Sequence, residues 1–165
     1  IQQAAQQDPR LSGMGTTLTM LFLSLEGGAF QVGHVGDSRA YRFHHGELVQ
    51  LTRDHTAVSD MVREGTLQPS QAERHPMSHI LSRAVGTSHD LEVDQVLGVA
   101  GKGDLFLLCS DGLTKVFRRQ ELRDRLQRWK GKDPEGMVRA LVDEANERGA
   151  PDNVTVAILV VMVRD

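Results

Sequence analysis

The amino-acid sequence predicts an α+β domain in which a pair of helices covers one face of a largely antiparallel sheet. Three observations lead to this prediction. Short strand-like segments fill the first third of the chain, two amphipathic helical segments lie near its end, and a long apolar strand closes it. A chain of 165 residues with 39% hydrophobic residues is long enough for one domain with a sizeable core.

Glycine-containing turns join the predicted strands of the first third. Residues 16–25 and Ala29–Val35 flank a turn at 26–28, which predicts a β-hairpin. The short apolar segments Arg39–His44 and 47–51 follow after further turns. Four successive strands of this kind predict an antiparallel meander.

The middle of the chain has a different pattern of apolar residues. Apolar residues with helical spacing open the segment 56–78, which glycine and prolines then interrupt, so we predict a short helix followed by an irregular excursion. Residues 91–97 alternate as a strand does. In the segment 104–109, every residue after Asp104 is apolar, which predicts a strand buried on both faces.

Two helices are predicted between residues 118 and 148. The second has Asp133 as its cap, Pro134 at its first position and Gly149 just beyond its end. Residues 153–163 are then predicted to form the final strand. Together with the early strands, these helices complete the predicted α+β arrangement.

Composition excludes several classes of partner. The formal net charge of -3 and a pI near 6.2 provide no general attraction to nucleic acid or to anionic lipid. The apolar stretches are too short to span a bilayer, and no signal peptide opens the chain. The single Cys109 cannot form an internal disulfide, so a reducing cytoplasm is the expected location.

Two carboxylates stand at the ends of predicted core strands. Asp111 follows the buried run 104–109, and Asp152 precedes the final strand. Asp111 alone is explained equally well as a turn or cap residue, and Asp152 alone counts for little because Pro-Asp-Asn is a common turn composition. Because both strands belong to one core, however, the two side chains can converge on one cleft.

Converging carboxylates repel each other unless a proton or a cation lies between them. Hydrated Mg²⁺ or Mn²⁺ accepts such oxygen ligands and can activate a water or neutralise a phosphoryl group. The sequence contains no Gly-rich phosphate loop, no Cys/His zinc spacing and no G-x-S-x-G motif. A third acidic turn, at Asp37, is by itself ordinary turn chemistry.

A family resemblance rests on five segments that occur in a fixed order. Together they resemble bacterial metal-dependent Ser/Thr protein phosphatases of the type 2C family, and residues 15–17 resemble the start of a matching strand. The five segments are residues 35–41, 51–55, 81–86, 109–113 and 151–155.

The resemblance implies an antiparallel β-sandwich flanked by helices, with a binuclear Mn²⁺ or Mg²⁺ centre between the sheets. Asp111 and Asp152 match two ligands of that centre, and Gly112 and Asn153 supply the adjacent backbone. Asp37 matches the position of a further, weaker metal. The implied reaction is hydrolysis of phosphoserine or phosphothreonine in proteins by a metal-activated water, opposed by a Ser/Thr kinase. Residues 56–78 correspond to the family's substrate-contacting flap.

Two departures from the family pattern alter these expectations. The family's N-terminal segment, with its early metal ligands and phosphate-binding Arg, has no counterpart, and residues 1–7 look like the tail of a helix. We therefore expect a single partial catalytic domain over 1–165, with exposed sheet edges through which two copies pair. Lys115 stands where many relatives carry an acid. It either opposes metal binding or contacts phosphate.

Two other functions compete with a protein phosphatase. One is a phosphatase-like regulatory or interaction module without catalysis, which would follow from loss of the bridging metal ligand. The other is a metal-dependent hydrolase of small phosphate esters.

Overall fold

The computed structural model describes residues 1–72, 75–129 and 133–162. Residues 73–74 of the predicted flap, 130–132 of the predicted helix pair and Val163 of the predicted last strand lie outside them. No helix in the described ranges is long and apolar enough to cross a membrane. The elements are α1 (Gln2–Gln7), β1 (Leu18–Leu23), β2 (Ala29–Val35), β3 (Arg39–His44), β4 (Glu47–Gln50), α2 (Ala57–Arg63), α3 (Pro69–Ala72), β5 (Asp94–Val99), β6 (Leu105–Cys109), α4 (Asp111–Thr114), α5 (Arg119–Trp129), α6 (Pro134–Glu147) and β7 (Val156–Val160).

The strands form two antiparallel sheets with the orders β1-β2-β5 and β4-β3-β6-β7. The predicted meander is therefore wrong in one respect, because β2 and β3 belong to different sheets. The chain changes sheets at Gly36, whose φ of +112° turns the backbone sharply. Strand periodicity marks each strand but carries no information on which neighbour it pairs with.

Side chains from the two sheets meet in a common apolar layer. Phe30 of β2 packs edge-on against Phe106 of β6, with ring centroids 5.0 Å apart. Val32 and Ala40 are buried in the same cluster, so the layer joins both sheets. On the opposite face of β6, Leu107 belongs to a second cluster that includes the helices. The predicted burial of this strand on both faces is confirmed.

The helix pair α5 and α6 covers the outer face of the second sheet. The cap prediction is confirmed, since Gly136 N–H donates to Asp133 Oδ1 over 3.0 Å. Both helices bury their apolar stripe against the second sheet, α5 beside β4 and α6 beside β7, which confirms the α+β prediction. The fully buried stripe residues are Leu122, Leu126, Met137 and Leu141.

Several strand limits differ from the prediction. β5 is Asp94–Val99 where the sequence predicts 91–97, and β7 is Val156–Val160 where it predicts 153–163. The late start of β7 has a physical cause, because Thr155 N–H donates to the Ser110 hydroxyl over 2.9 Å and the preceding residues form a loop. A side-chain partner distant in sequence replaces one main-chain bond there, while Ser110 N–H still donates to the Thr155 carbonyl over 3.0 Å.

The outer face of the first sheet exposes large apolar side chains. They alternate along β1 and β5, the two edge strands. The predicted pairing of two copies through sheet edges stays a prediction. The most exposed of these side chains are Phe22, Met20, Leu97 and Val99.

A buried ionic network links β3 to the turn before β6. The Asp104 carboxylate is 1% exposed and accepts hydrogen bonds from Gly101 N–H and Arg42 Nε, both over 2.8 Å, and from His44 Nδ1. Burial opposes the charged form, but these donors outweigh it and hold the pKa of Asp104 below its ordinary value of 3.8.

Asp104→Asn should lower the free energy of unfolding by about 3 kcal/mol at pH 7, because it leaves Arg42 without its carboxylate. A depressed pKa gives stability that is present above 3.8 and is lost as the pH falls through the folded-state pKa, so the difference from wild type should shrink in acid. Urea denaturation at several pH values measures this. The exposed Asp143→Asn serves as control, and equal unfolding curves for the two variants would contradict the assignment.

Candidate metal site

Asp111 is delivered to a cleft by the junction of β6 and α4. β6 ends at Cys109, Ser110 has extended backbone angles, and α4 begins at Asp111. The Asp111 side chain is 26% exposed, so it faces the cleft without being sealed from solvent. The sequence therefore places a carboxylate where a buried strand meets water.

The cleft has a volume of about 700 Å³ and lies between the flap and α4. Its charged lining comes from the turn between β2 and β3, from β3, from the loop after β4 and from the segment after β6. Flap helices α2 and α3 supply an apolar wall. The charged lining residues are Asp37, Arg39, Asp54, Asp111, Lys115, Arg118 and Glu121, and the apolar flap residues are Val58, Val62, Pro69 and Ala72.

Asp152 lies at the rim of this cleft and does not line it. Its side chain is 55% exposed. Lys115 connects the two carboxylates, because its Nζ lies 2.5 Å from Asp111 Oδ2 and 3.9 Å from Asp152 Oδ2. The structure thus brings Asp111 and Asp152 to the same ammonium group, which lies within 3.9 Å of both carboxylates.

The electrostatics of the cleft reflect an excess of carboxylates. The hydrogen bond to Asp111, with smaller contributions from Asp152 and Asp37, raises the pKa of Lys115. Burial, followed by repulsion from Asp111, raises the pKa of Asp37. The carboxylates thus stabilise the ammonium form of Lys115, whereas burial and repulsion disfavour the charged form of Asp37.

Gly112 and Asn153 bring the two acidic loops into close contact. A Cβ added at Gly112 would lie 2.4 Å from the Asn153 carbonyl oxygen. The Ser110 hydroxyl also donates to that oxygen over 3.0 Å. Only glycine therefore allows the α4 start to approach the loop that carries Asp152.

Gly112→Ala should destabilise the chain by about 2 kcal/mol, because the added methyl group overpacks this contact. Urea denaturation measures the change. Gly33→Ala is the matched control, since its added Cβ would meet nothing closer than 3.9 Å. Equal unfolding midpoints for the two variants would show that the two loops tolerate separation.

Arg39 forms the cationic side of the cleft together with its partner Asp54. The guanidinium donates to both carboxylate oxygens, at 2.9 Å from Nε to Oδ1 and 2.6 Å from Nη2 to Oδ2. Such a forked pair is rigid and holds its charge in place. Asp54 therefore already has a cationic partner and is not a free oxygen ligand.

The oxygen ligands available at this site are of the type that a hard divalent cation prefers. Carboxylate oxygens of Asp111, Asp152 and Asp37 are the ligands that Mg²⁺ and Mn²⁺ accept, with water filling the remaining positions. Within the described ranges, no three His, Cys, Asp or Glu residues are grouped closely enough to hold a metal by themselves. The three carboxylates therefore fit part of a metal centre, and the Lys115 ammonium lies beside them, in contact with Asp111.

Sequence reasoning missed two groups at this site. Ser110 joins the two acidic loops, and His55 contacts the turn that carries Asp37. A serine immediately before a strand-end Asp was the available signal for the first. The second occurs within the segment 51–55, where a histidine that follows two charged residues gives no sign that it is buried.

Known proteins that are similar to this chain come from one family. The family model described as "Protein phosphatase 2C" matches residues 1–146. "Serine/threonine protein phosphatase PstP" of Mycobacterium tuberculosis is 38% identical over 160 residues, which cover 96% of this chain and 30% of the relative. "Serine/threonine phosphatase stp" of Listeria welshimeri is 35% identical over 155 residues, which cover 94% of this chain and 60% of the relative.

Solved structures show the same likeness. The crystal structure of the Mycobacterium tuberculosis phosphatase PstP/Ppp superposes with a TM-score of 0.85 at 35% identity, covering 98% of this chain and 66% of that one. A PstP catalytic domain in complex with two manganese ions superposes with a TM-score of 0.82 at 35% identity, covering 96% and 64%.

The chain belongs to the protein phosphatase 2C family. Its α+β fold is that of the family's solved members. It spans 30% to 60% of the length of the two curated relatives named above.

Proposed function

We propose that this chain serves in metal-dependent hydrolysis of phosphoserine and phosphothreonine in proteins. One observation carries the proposal, namely the meeting of Asp111 and Asp152 at a single cationic point beside a cleft of about 700 Å³. The names of the relatives, which are serine/threonine protein phosphatases, support the same reaction.

Asp111 and Asp152 are the proposed ligands of Mn²⁺ or Mg²⁺, with Asp37 as a ligand of a further ion. Gly112 and Asn153 hold the two ligand loops together. When bound, the cation supplies a water of lowered pKa and neutralises phosphoryl charge. The manganese found with a relative supports a metal of this kind but does not distinguish it from magnesium.

Lys115 has two proposed roles that follow from its contacts. Its ammonium is paired with Asp111, so it would compete with a divalent ion for the same oxygen. The side chain is also 41% exposed and lines the cleft, where a cation can accept a phosphate group as a partner. Displacement from Asp111 by the metal would free Lys115 for the second role.

The proposed substrates are phosphorylated proteins, and a Ser/Thr kinase is the proposed source of those phosphates. The open cleft supports a peptide over a small ester. Its flap wall is apolar around Val58 and Val62, which gives a contact surface beyond the phosphate itself. A small aryl phosphate would leave this wall unused.

Phosphate release from a phosphothreonine peptide, compared with an aryl phosphate, tests the proposal. We expect Mn²⁺-dependent release with a higher kcat/KM for the peptide, and no release with a chelator present. A preference for the aryl phosphate would indicate the small-ester hydrolase. No release from either compound at any Mn²⁺ concentration would contradict a catalytic role.

A non-catalytic, phosphatase-like interaction module is the second candidate. The pairing of Lys115 with Asp111 favours it, because the acid that should hold the metal already has a cationic partner. Binding of a phosphothreonine peptide that is equally tight with and without Mn²⁺, and without hydrolysis, would support the module.

A further inference from the structure

The turn that carries Asp37 is clamped by the buried side chain of His55. His55 is 1% exposed and lies at the end of the loop that follows β4. Its backbone N–H donates to the Gly36 carbonyl over 2.7 Å, and Gly36 N–H donates back to His55 Nδ1 over 3.1 Å. One histidine therefore satisfies both backbone polar groups of Gly36, the residue before Asp37.

Gly36 needs this external support. Its φ is +112°, and an added Cβ would lie 2.4 Å from Thr17 Cγ2, so no other residue fits. Glycine is also the residue with the greatest backbone freedom, and it does not fix the turn by itself. On the other side, Thr17 and Ser38 hydroxyls lie 3.0 Å apart and tie the turn to the segment before β1.

The hydrogen bond from Gly36 determines the tautomer of the neutral ring. Because Nδ1 accepts, the proton of a neutral His55 resides on Nε2. Nε2 lies 3.1 Å from Asp94 Oδ2, but its N–H direction misses the oxygen, so this contact is electrostatic and not an aligned hydrogen bond. Asp94 is held by Arg83 over 2.8 Å. The Gly36 bonds are therefore the better-formed contacts of His55.

The surroundings of Asp37 disfavour its charged form. Burial, followed by repulsion from Asp111 and Asp54, outweighs the attraction of Lys115 and raises the pKa of the half-buried carboxylate, so the turn must hold it in the cleft. We infer that His55 is a positioning residue, which fixes the Gly36 turn so that the Asp37 carboxylate stays in the cleft and faces the cation site. The inference rests on the proposed metal site.

The ring proton can be located in the wild-type chain without any substitution. We expect the ¹⁵N spectrum of the histidine side chains to show the proton of neutral His55 on Nε2, with Nδ1 accepting from Gly36. A proton on Nδ1 would overturn the inference, because that nitrogen could then accept nothing from Gly36.

Two substitutions separate positioning from general support. The amide of His55→Asn can replace Nδ1, whereas that of His55→Gln reaches the place of Nε2. Both variants lose the ring and about the same packing. Amide hydrogen exchange at Gly36, in the absence of metal, should stay within about twofold of wild type in His55→Asn and become at least about tenfold faster in His55→Gln.

The second readout is the affinity for Mn²⁺, which is measured from the electron paramagnetic resonance signal of the free ion. Partners behind metal ligands contribute about 10- to 100-fold to affinity, so His55→Gln should bind Mn²⁺ at least about tenfold more weakly than His55→Asn. Equal exchange in the two variants, or different exchange with equal Mn²⁺ affinity, would overturn the inference. If the wild-type chain binds no Mn²⁺, the proposed function fails, and Gly36 exchange still decides whether His55 holds the turn.

Discussion

Replacing Asp111 with alanine should reduce Mn²⁺ affinity and Mn²⁺-dependent phosphate release by more than about 100-fold, since even partners behind metal ligands contribute about 10- to 100-fold. The reason is its place in the cleft. Asp111 is the carboxylate in direct contact with Lys115, and it begins α4 two residues after the end of a strand buried on both faces, so its position is fixed by the core. Calorimetric titration with Mn²⁺ and the peptide assay together measure the loss.

The control for Asp111→Ala must separate a lost ligand from a lost fold. Asp111→Asn keeps the shape of the side chain and removes its charge, so it should show nearly the same loss as alanine. Asp143→Asn removes an exposed carboxylate from α6 and should change neither quantity. Wild-type Mn²⁺ affinity in both Asp111 variants would show that the metal binds elsewhere.

Replacing Lys115 with glutamine should tighten Mn²⁺ binding by about 30-fold. Two unit charges 4 Å apart in water interact by about 1 kcal/mol, and the double charge of Mn²⁺ brings the repulsion to about 2 kcal/mol. Lys115 Nζ lies 2.5 Å from the oxygen that the metal would use, so a bound ion meets this repulsion or must displace the side chain. Titration calorimetry at low ionic strength measures the gain.

Lys115→Arg provides the matched control because it keeps the charge. It should leave Mn²⁺ affinity close to wild type. The peptide assay separates the two roles of Lys115, since a phosphate contact predicts that Lys115→Gln raises KM for the peptide even when the metal binds more tightly. Unchanged Mn²⁺ affinity in Lys115→Gln would mean that its ammonium does not compete for Asp111.

Local patterns in the sequence predict most of the elements. The apolar run in β6, the Asp133 cap and the stripes of α5 and α6 are each determined by neighbours in the chain. The division of strands between two sheets could not be predicted in the same way. It depends on the Gly36 turn and on contacts such as that of Phe30 with Phe106, which join residues far apart in sequence.

The candidate site, too, could be predicted from the sequence only where neighbours in the chain determine it. The meeting of Asp111 and Asp152 could be predicted because both residues border core strands, and Lys115 stands out as one helical turn from Asp111. His55 could not be found, because nothing near it in the sequence shows that its ring is buried against Gly36. The position of Asp152 at the rim also depends on the loop contact through Ser110, which only the folded chain shows.

Crystals of the chain soaked in Mn²⁺ test the central claim most directly, because anomalous scattering locates the ion without reference to turnover. We predict an anomalous peak in contact with Asp111 at the end of the cleft near Asp152, with the Lys115 ammonium moved away from the Asp111 carboxylate. A cleft without an anomalous peak at saturating Mn²⁺, with Lys115 still bound to Asp111, would contradict the proposed metal site.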